Sequence, residues 1–228
     1  MQFRRYAIYV VPDGNALADF GASWLGWDVV RGVPLPHPET DLPIEDITKT
    51  PRKYGFHGTV HWPVTLSDPS EAGLAQLTEA VAGFCASRRA IELESLELAR
   101  LGRFLALVPT RDEAALKDMA ADLVRLLQPF RAPVSEAAIA RRRAGHLSPE
   151  QDALLTKWGY PYVMDQFRYH MTLTGKLSKA QLPKVEAVLN TLLQAVLPQP
   201  FVIDALSLVG EDNAGRFHVI ETFPFRGA

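Results

Sequence analysis

The chain is poor in three things: cysteine, long apolar runs and net charge. Its single cysteine, Cys85, excludes an intramolecular disulfide, so the sequence reads as that of a protein from a reducing compartment, with Cys85 as a buried structural thiol. No apolar run approaches the ~20 residues of a membrane span, and the polar stretch Met1–Tyr6 lacks the apolar segment of a secretory leader. The expectation is a soluble, cytoplasmic protein with no membrane partner. A formal net charge of −2 and a pI near 6.3 give no global basic field. That argues against long nucleic acid as a partner and leaves room for a small anion held in a local positive pocket.

What the chain does have is enough apolar material for a real core, 47% of 228 residues. It also has one stretch of strict alternation, Phe167-Arg168-Tyr169-His170-Met171-Thr172-Leu173-Thr174-Gly175. Alternation with period two is the pattern of a half-buried strand. Successive side chains leave a strand on opposite faces, so Tyr169, Met171 and Leu173 face a core while Arg168, His170, Thr172 and Thr174 share the other side. A guanidinium, an imidazole and two hydroxyls pack poorly but hold an anion well.

An upstream stretch, Lys53-Tyr54-Gly55-Phe56-His57-Gly58-Thr59-Val60-His61-Trp62, repeats the design, its parity grouping Lys53, His57, Thr59 and His61. Tyr54 faces the core by that parity unless a bulge at Gly55 turns it into the polar side. Both copies carry His-x-Thr and sit in matching surroundings. After each come a helical segment (70–87 and 179–196), a strand (91–99 and 201–209) and a Gly-Arg-Phe strand start at Gly102 and Gly215. The interval from His57 to His170, 113 residues, equals that from Gly102 to Gly215. Such a repeat implies two β-α-β-β lobes.

Two His-x-Thr strands in an internally repeated α+β chain resemble the two-histidine (2H) phosphoesterase superfamily. The words Thr50-Pro51-Arg52-Lys53-Tyr54-Gly55-Phe56-His57 and Trp158-Gly159-Tyr160-Pro161-Tyr162-Val163, with the second motif strand, resemble its subfamily found beside bacterial phosphonate-degradation genes. Gly58 stands where that resemblance implies alanine, a change of packing on the core face. The fold implied is α+β: two pseudo-symmetric β-α-β-β lobes with antiparallel sheets flank a central cleft, with a helical insertion between the repeats. The first lobe covers 1–131, the insertion or lid 132–164 and the second lobe 165–228, all within one bilobal domain.

Along the rest of the chain, Tyr6–Val11 reads as a strand ended by the turn Pro12-Asp13-Gly14, and Ala16–Leu25 as a helix. Five of the seventeen prolines fall in 31–51, which reads as an irregular connector. Helical spacing marks Asp112–Leu127, with Pro129 as a stop, and serine caps mark helices from Ser135 to Arg143 and from Ser148 to about Trp158.

His57 and His170 are the candidate acid and base, since an imidazole titrating near 6.5 can take or give a proton at neutral pH. Thr59 and Thr172, with Arg168 and Lys53, are candidates to hold the phosphoryl oxygens; Tyr54, Tyr162 and Arg143 are candidate pocket residues. No metal and no cofactor is called for: His57 and His61 have the i, i+4 spacing of a helical zinc site, but on a strand they stand ~13 Å apart, with His61 at a solvent-facing strand end. The resemblance implies a metal-independent hydrolase of a small cyclic phosphodiester, with a ribose cyclic phosphate of phosphonate catabolism as one substrate. Two alternatives stand beside it: a nucleoside 2′,3′-cyclic phosphate or RNA-end phosphodiesterase, and a non-catalytic sensor or accessory protein that binds a phosphorylated ligand.

Overall fold

The computed structural model describes residues 3–111 and 114–227. In chain order the elements are β1 (Arg5–Val10), α1 (Ala16–Leu25), β2 (Trp27–Asp28), β3 (Val33–Pro34), α2 (Ile44–Thr48), β4 (Gly58–Val64), α3 (Glu71–Ala86), β5 (Ile91–Leu93), β6 (Leu96–Leu101) and β7 (Phe104–Pro109). There follow α4 (Ala114–Leu127), α5 (Glu136–Arg143), α6 (Pro149–Trp158), β8 (Met171–Thr172), α7 (Gln181–Leu193), β9 (Phe201–Ile203), β10 (Ala205–Glu211) and β11 (Phe217–Pro224). Helix α1 spans the expected residues. Helix α4 is described from Ala114 onward, the expected start at Asp112 lying outside the described residues. The connector 31–51 contains a short hairpin strand and α2, so it is less irregular than its prolines imply.

The fold is α+β and its strand pairings are antiparallel. Seven strands form one sheet in the order β11-β10-β1-β4-β8-β7-β6. The two repeats meet at its centre, where β4 lies against β8 through the pair Gly58 and Met171. The hairpin that follows the first motif, β6–β7, flanks the second motif strand β8, while β10–β11 reaches β4 through β1. Among the described residues β5 and β9 form a further pair. The second motif strand is thus flanked on both sides by strands of the first repeat, and the first motif strand by β1 and β8.

One face of this sheet carries the main core. Ile8, Val10, Val60, Leu105, Leu107, Met171, Leu173, Leu206 and Leu208 pack there with Leu77 and Val81 of α3, Leu123 of α4, and Val185 and Leu189 of α7. Burying Met171 and Leu173 contributes roughly 1.5–3 kcal/mol each. Helix α1 ties the two motif strands together. Its Gly21 lies where a Cβ would meet the Phe56 ring at 2.1 Å, and its Trp24 indole N–H donates to the Leu173 carbonyl at 2.8 Å. The opposite face holds a smaller cluster of Ala7, Tyr9, Val209 and Phe217 with Trp27 and Val29.

Candidate active site

Strand β4 is shorter at its start than the alternation suggests. Pro51–Lys53 forms a 3-10 turn, and Gly55 takes a φ of +70°, which breaks strand parity before Phe56. Lys53 is therefore exposed on the turn and does not share a strand face with His57 and Thr59, contrary to the sequence reading. The same left-handed residue turns Tyr54 away from the core, as a bulge at that place predicts. Tyr54 comes up beside both motifs: Thr172 favours the ionised form of its hydroxyl, against the larger effect of burial, and its ring stands edge-on to His57 at 5.3 Å. Burial pushes the Tyr54 hydroxyl up to about 12.

His57 is 6% exposed. Its ring lies flat on Tyr9, 3.5 Å between centroids and 11° between planes. Nδ1 is 3.1 Å from the Gly55 carbonyl, which can only accept, so Nδ1 carries the proton of the neutral ring. Nε2 is then an acceptor, and it lies 2.9 Å from the Thr59 hydroxyl. Burial pushes the imidazole down to about 3, and nearby His170 pushes in the same direction, against the stabilising Gly55 and Tyr54 carbonyls. The His57 imidazole is neutral at neutral pH.

His170 is built the same way in a wetter place. Its Nδ1 is 2.9 Å from the Arg168 carbonyl, so the same tautomer logic leaves Nε2 directed outward from a half-buried ring. Phe104 borders it at 6.1 Å. Formal strand geometry covers only Met171 and Thr172 here, yet Tyr169, Met171 and Leu173 are buried as the alternation requires. Thr174 departs from it. It is 1% exposed and its hydroxyl accepts from the Leu105 N–H at 3.0 Å, which makes it a brace between β7 and the segment after β8 rather than a member of the polar face.

The register at the centre of the sheet brings the motifs together. With Gly58 opposite Met171 in an antiparallel pair, one step either way sets His57 across from Thr172 and Thr59 across from His170. Directly opposed side chains have Cβ atoms about 4.5–5.5 Å apart. The four candidate residues form a crossed square in which each histidine faces the other motif's threonine. This juxtaposition offers a base, a second imidazole and two hydroxyl donors around one point.

The outlying candidates divide. Arg168 is exposed beside the square. Tyr162 is 47% exposed and meets Tyr160 edge-on at 5.7 Å. Arg143 does not point to the pocket: its Nε donates to Asp152 Oδ1 at 2.6 Å and its Nη2 to Oδ2 at 3.1 Å, which ties α5 to α6. Its neighbour Arg142 turns inward instead, with Nη1 donating to the Gly159 carbonyl and its guanidinium 5.2 Å above the Tyr160 ring. His61 is the other correction. Register shifts where β4 pairs with β1 place it opposite Ile8, on the core side, and it is 2% exposed, stacked on Trp62 at 4.1 Å. Burial pushes it down to about 4. Tyr9 escaped sequence reasoning because its contact with His57 follows from the β1–β4 register, which no local pattern reveals.

A cavity of about 350 Å³ is lined in part by Val11, Trp27, Val29 and Phe56, the residue before His57. Among the described residues no group of three or more His, Cys, Asp or Glu side chains is placed to hold a metal, and no helix is long and apolar enough to cross a membrane.

A family model described as "Protein of unknown function (DUF1045)" matches residues 59–218, which include Thr59, His170 and Thr172. The chain belongs to this family. Two relatives of this DUF1045 chain are both named "Ribose 1,5-bisphosphate phosphokinase PhnN". One, from Janthinobacterium sp. (strain Marseille), is 34% identical over 98% of this chain and 51% of its own length. The other, from Laribacter hongkongensis (strain HLHK9), is 31% identical over 92% of this chain and 49% of its own. The chain spans about half the length of these relatives. Among solved structures, a chain described as "Crystal structure of phosphoesterase" is similar over 98% of both chains at 13% identity and a TM-score of 0.46. E. coli LigT complexed with 3'-AMP is similar over 98% of both chains, at 13% identity and a TM-score of 0.47. At that distance nothing about the chemistry carries over.

Proposed function

We propose that this chain is a metal-independent phosphoesterase that opens a small cyclic phosphodiester by acid–base catalysis between His57 and His170. The observation that carries this reading is the crossed square of His57, Thr59, His170 and Thr172 at the β4–β8 junction. His57, held neutral by burial, takes the proton of the attacking water at Nε2. The water oxygen bonds to phosphorus, the ring P–O bond breaks, and His170 in its protonated form gives its Nε2 proton to the leaving oxygen. In the free protein Thr59 donates to His57 Nε2. A bound phosphoryl oxygen accepts that hydroxyl proton instead, which frees Nε2 for water, while Thr172 donates from the other side. Hydrogen bonds aimed at developing charge supply the larger share of the rate.

The relatives' name, with its ribose bisphosphate, supports a sugar phosphate as the substrate class; the substrate we propose within it is a ribose cyclic phosphate of phosphonate breakdown, acted on in the cytosol. Their kinase activity is not the reading for this chain. They are about twice its length, and the sequence has no G-x-x-x-x-G-K-[ST] loop, its one Gly-Lys pair, Gly175-Lys176, being followed by Leu177.

Phosphorus NMR of the purified protein with excess EDTA, against ribose 1,2-cyclic phosphate and nucleoside 2′,3′-cyclic phosphates, tests the reading. Ring opening lost in both His57→Ala and His170→Ala is the expected result. Ligand shifts without turnover would point to a sensor, and turnover abolished by EDTA would overturn metal independence.

A further inference from the structure

Two guanidiniums meet on the far side of Tyr160. Arg142 of α5 donates from Nη1 to the Gly159 carbonyl, and Arg131, after α4, lies so close to the same residue that a Cβ on Gly159 would be 3.0 Å from its Cζ and Nη1. Among the described residues neither forms an ion pair with a carboxylate, whereas the half-buried Arg5, Arg52 and Arg88 do; Arg216, the other half-buried arginine without one, lies over the Trp27 ring. Arg131 spends Nε on the Gln128 side chain and Nη1 on the Ala132 carbonyl, which leaves Nη2. Arg142 keeps Nε and Nη2. Desolvation lowers both guanidiniums from their ordinary range; for Arg142 the nearby Tyr160 opposes this, while Arg141, Arg131 and Arg5 add to it. Partly buried cations without counter-charges are costly unless an anion completes them.

Their position relates them to the histidines. The Tyr160 ring stacks on Trp62 of β4 at 5.0 Å and 14°, three residues beyond Thr59, which is ~10 Å by strand rise. Tyr160 also lies within electrostatic range of Tyr9, the residue stacked on His57, and Arg142 within that of Arg5, which alternates with Tyr9 on the same face of β1. Arg142 of the segment between the repeats and Arg131 at the edge of that segment therefore bring two guanidiniums without a carboxylate partner to the histidine side of the sheet.

We infer that Arg131 and Arg142 form a second anion subsite, which takes a phosphate monoester carried by the substrate away from the bond that is broken. Two planar forks suit the three oxygens of a dianion better than a single carboxylate. The role in substrate choice rests on the phosphoesterase reading above; the subsite itself does not.

The test separates the two. Binding of inorganic phosphate and of glycerol 3-phosphate is measured by calorimetry on the wild-type chain, on Arg142→Gln, on Arg131→Gln, and on a chain with both His57→Ala and His170→Ala. The expected result is monoester affinity that falls at least tenfold in each arginine variant and persists in the histidine variant. Cyclic phosphodiesters with and without a distal phosphate monoester are then compared by kcat/KM. The wild type should prefer the phosphorylated one at least tenfold, and Arg142→Gln should bring that ratio close to one. Thermal melting of both arginine variants reports folding, and Arg142→Lys, which keeps the charge without the fork, should fall between. Affinity that survives both arginine changes, or that disappears only with the histidines, would overturn the subsite. Arginine-dependent binding with no turnover of any cyclic diester would keep it and remove the phosphoesterase reading instead.

Discussion

The ring of Tyr169 fills the space above Gly58: a Cβ at Gly58 would lie 2.3 Å from the Tyr169 ring carbons and hydroxyl oxygen. The contact lies at the pair that joins the repeats, since Gly58 is opposite Met171. Glycine and tyrosine are matched here. Gly58→Ala is expected to destabilise the fold by about 1–3 kcal/mol, as overpacking in a tight core does. Urea unfolding of Gly58→Ala, Tyr169→Leu and the double variant checks it, and additive effects would show that the two residues are not coupled.

The Tyr169 hydroxyl is buried and has no hydrogen-bond partner. Removing an unsatisfied buried polar atom removes its desolvation cost. Tyr169→Phe is expected to leave stability unchanged or raise it by about 1 kcal/mol, with activity retained; a clear loss of melting temperature would mean that the hydroxyl has a partner.

Tyr54 touches both motifs, through Thr172 and the edge of His57. Tyr54→Phe keeps the ring and removes the hydroxyl that sits beside Thr172, a polar contact worth about 1 kcal/mol. A roughly five- to tenfold loss in kcat/KM is expected, with little change in the unfolding midpoint. Unchanged kinetics would make the contact incidental.

Burial against Tyr9 keeps His57 neutral. Tyr9→Leu admits water to the imidazole, so the His57 ring, followed by proton NMR, should titrate nearer its ordinary value of about 6.5. The acid limb of kcat/KM should move to higher pH with it. A ring that still resists protonation at pH 5 would show that some other group sets the shift.

Stability should also depend on pH through two histidines. His57 and His61 are pushed down to about 3 and about 4 by burial, whereas the unfolded chain protonates both near 6.5. Between those values the unfolded state binds more protons. Their contribution is therefore complete above about pH 6.5 and declines as pH falls toward the folded values, by at most about 1.4 kcal/mol per pH unit for each. Melting temperatures measured from pH 7 to pH 5 should fall, and His61→Gln should flatten the slope. Equal slopes in the two proteins would contradict this account.

Much of this was legible because local physics decided it. The buried row Tyr169, Met171 and Leu173 follows from alternation, and the helix starts at Ser135 and Ser148 follow from serine caps that accept from Ala138 and Gln151. What was not legible depends on how elements dock. His61 changes face because the pairing of β4 with β1 slips, and no feature of the segment itself announces that. Arg142 rather than Arg143 turns inward because adjacent helical residues point about 100° apart, so the choice rests on the angle at which α5 lies against α6. Strand parity failed at Lys53 for a visible reason, the left-handed Gly55.

The exchange of hairpins between the repeats has a consequence for how such a chain can be divided. The outer neighbour of β8 is β7, a strand of the first repeat, and the hairpin β10–β11 of the second repeat extends the side of the sheet that holds β4. Cut within the segment between the repeats, the protein yields two fragments that each hold a histidine and a threonine: the first keeps β1 beside its motif strand but loses β8 from the other side, and the second loses both neighbours of its own, β4 and β7. The chain is in this sense a swapped dimer written as one polypeptide.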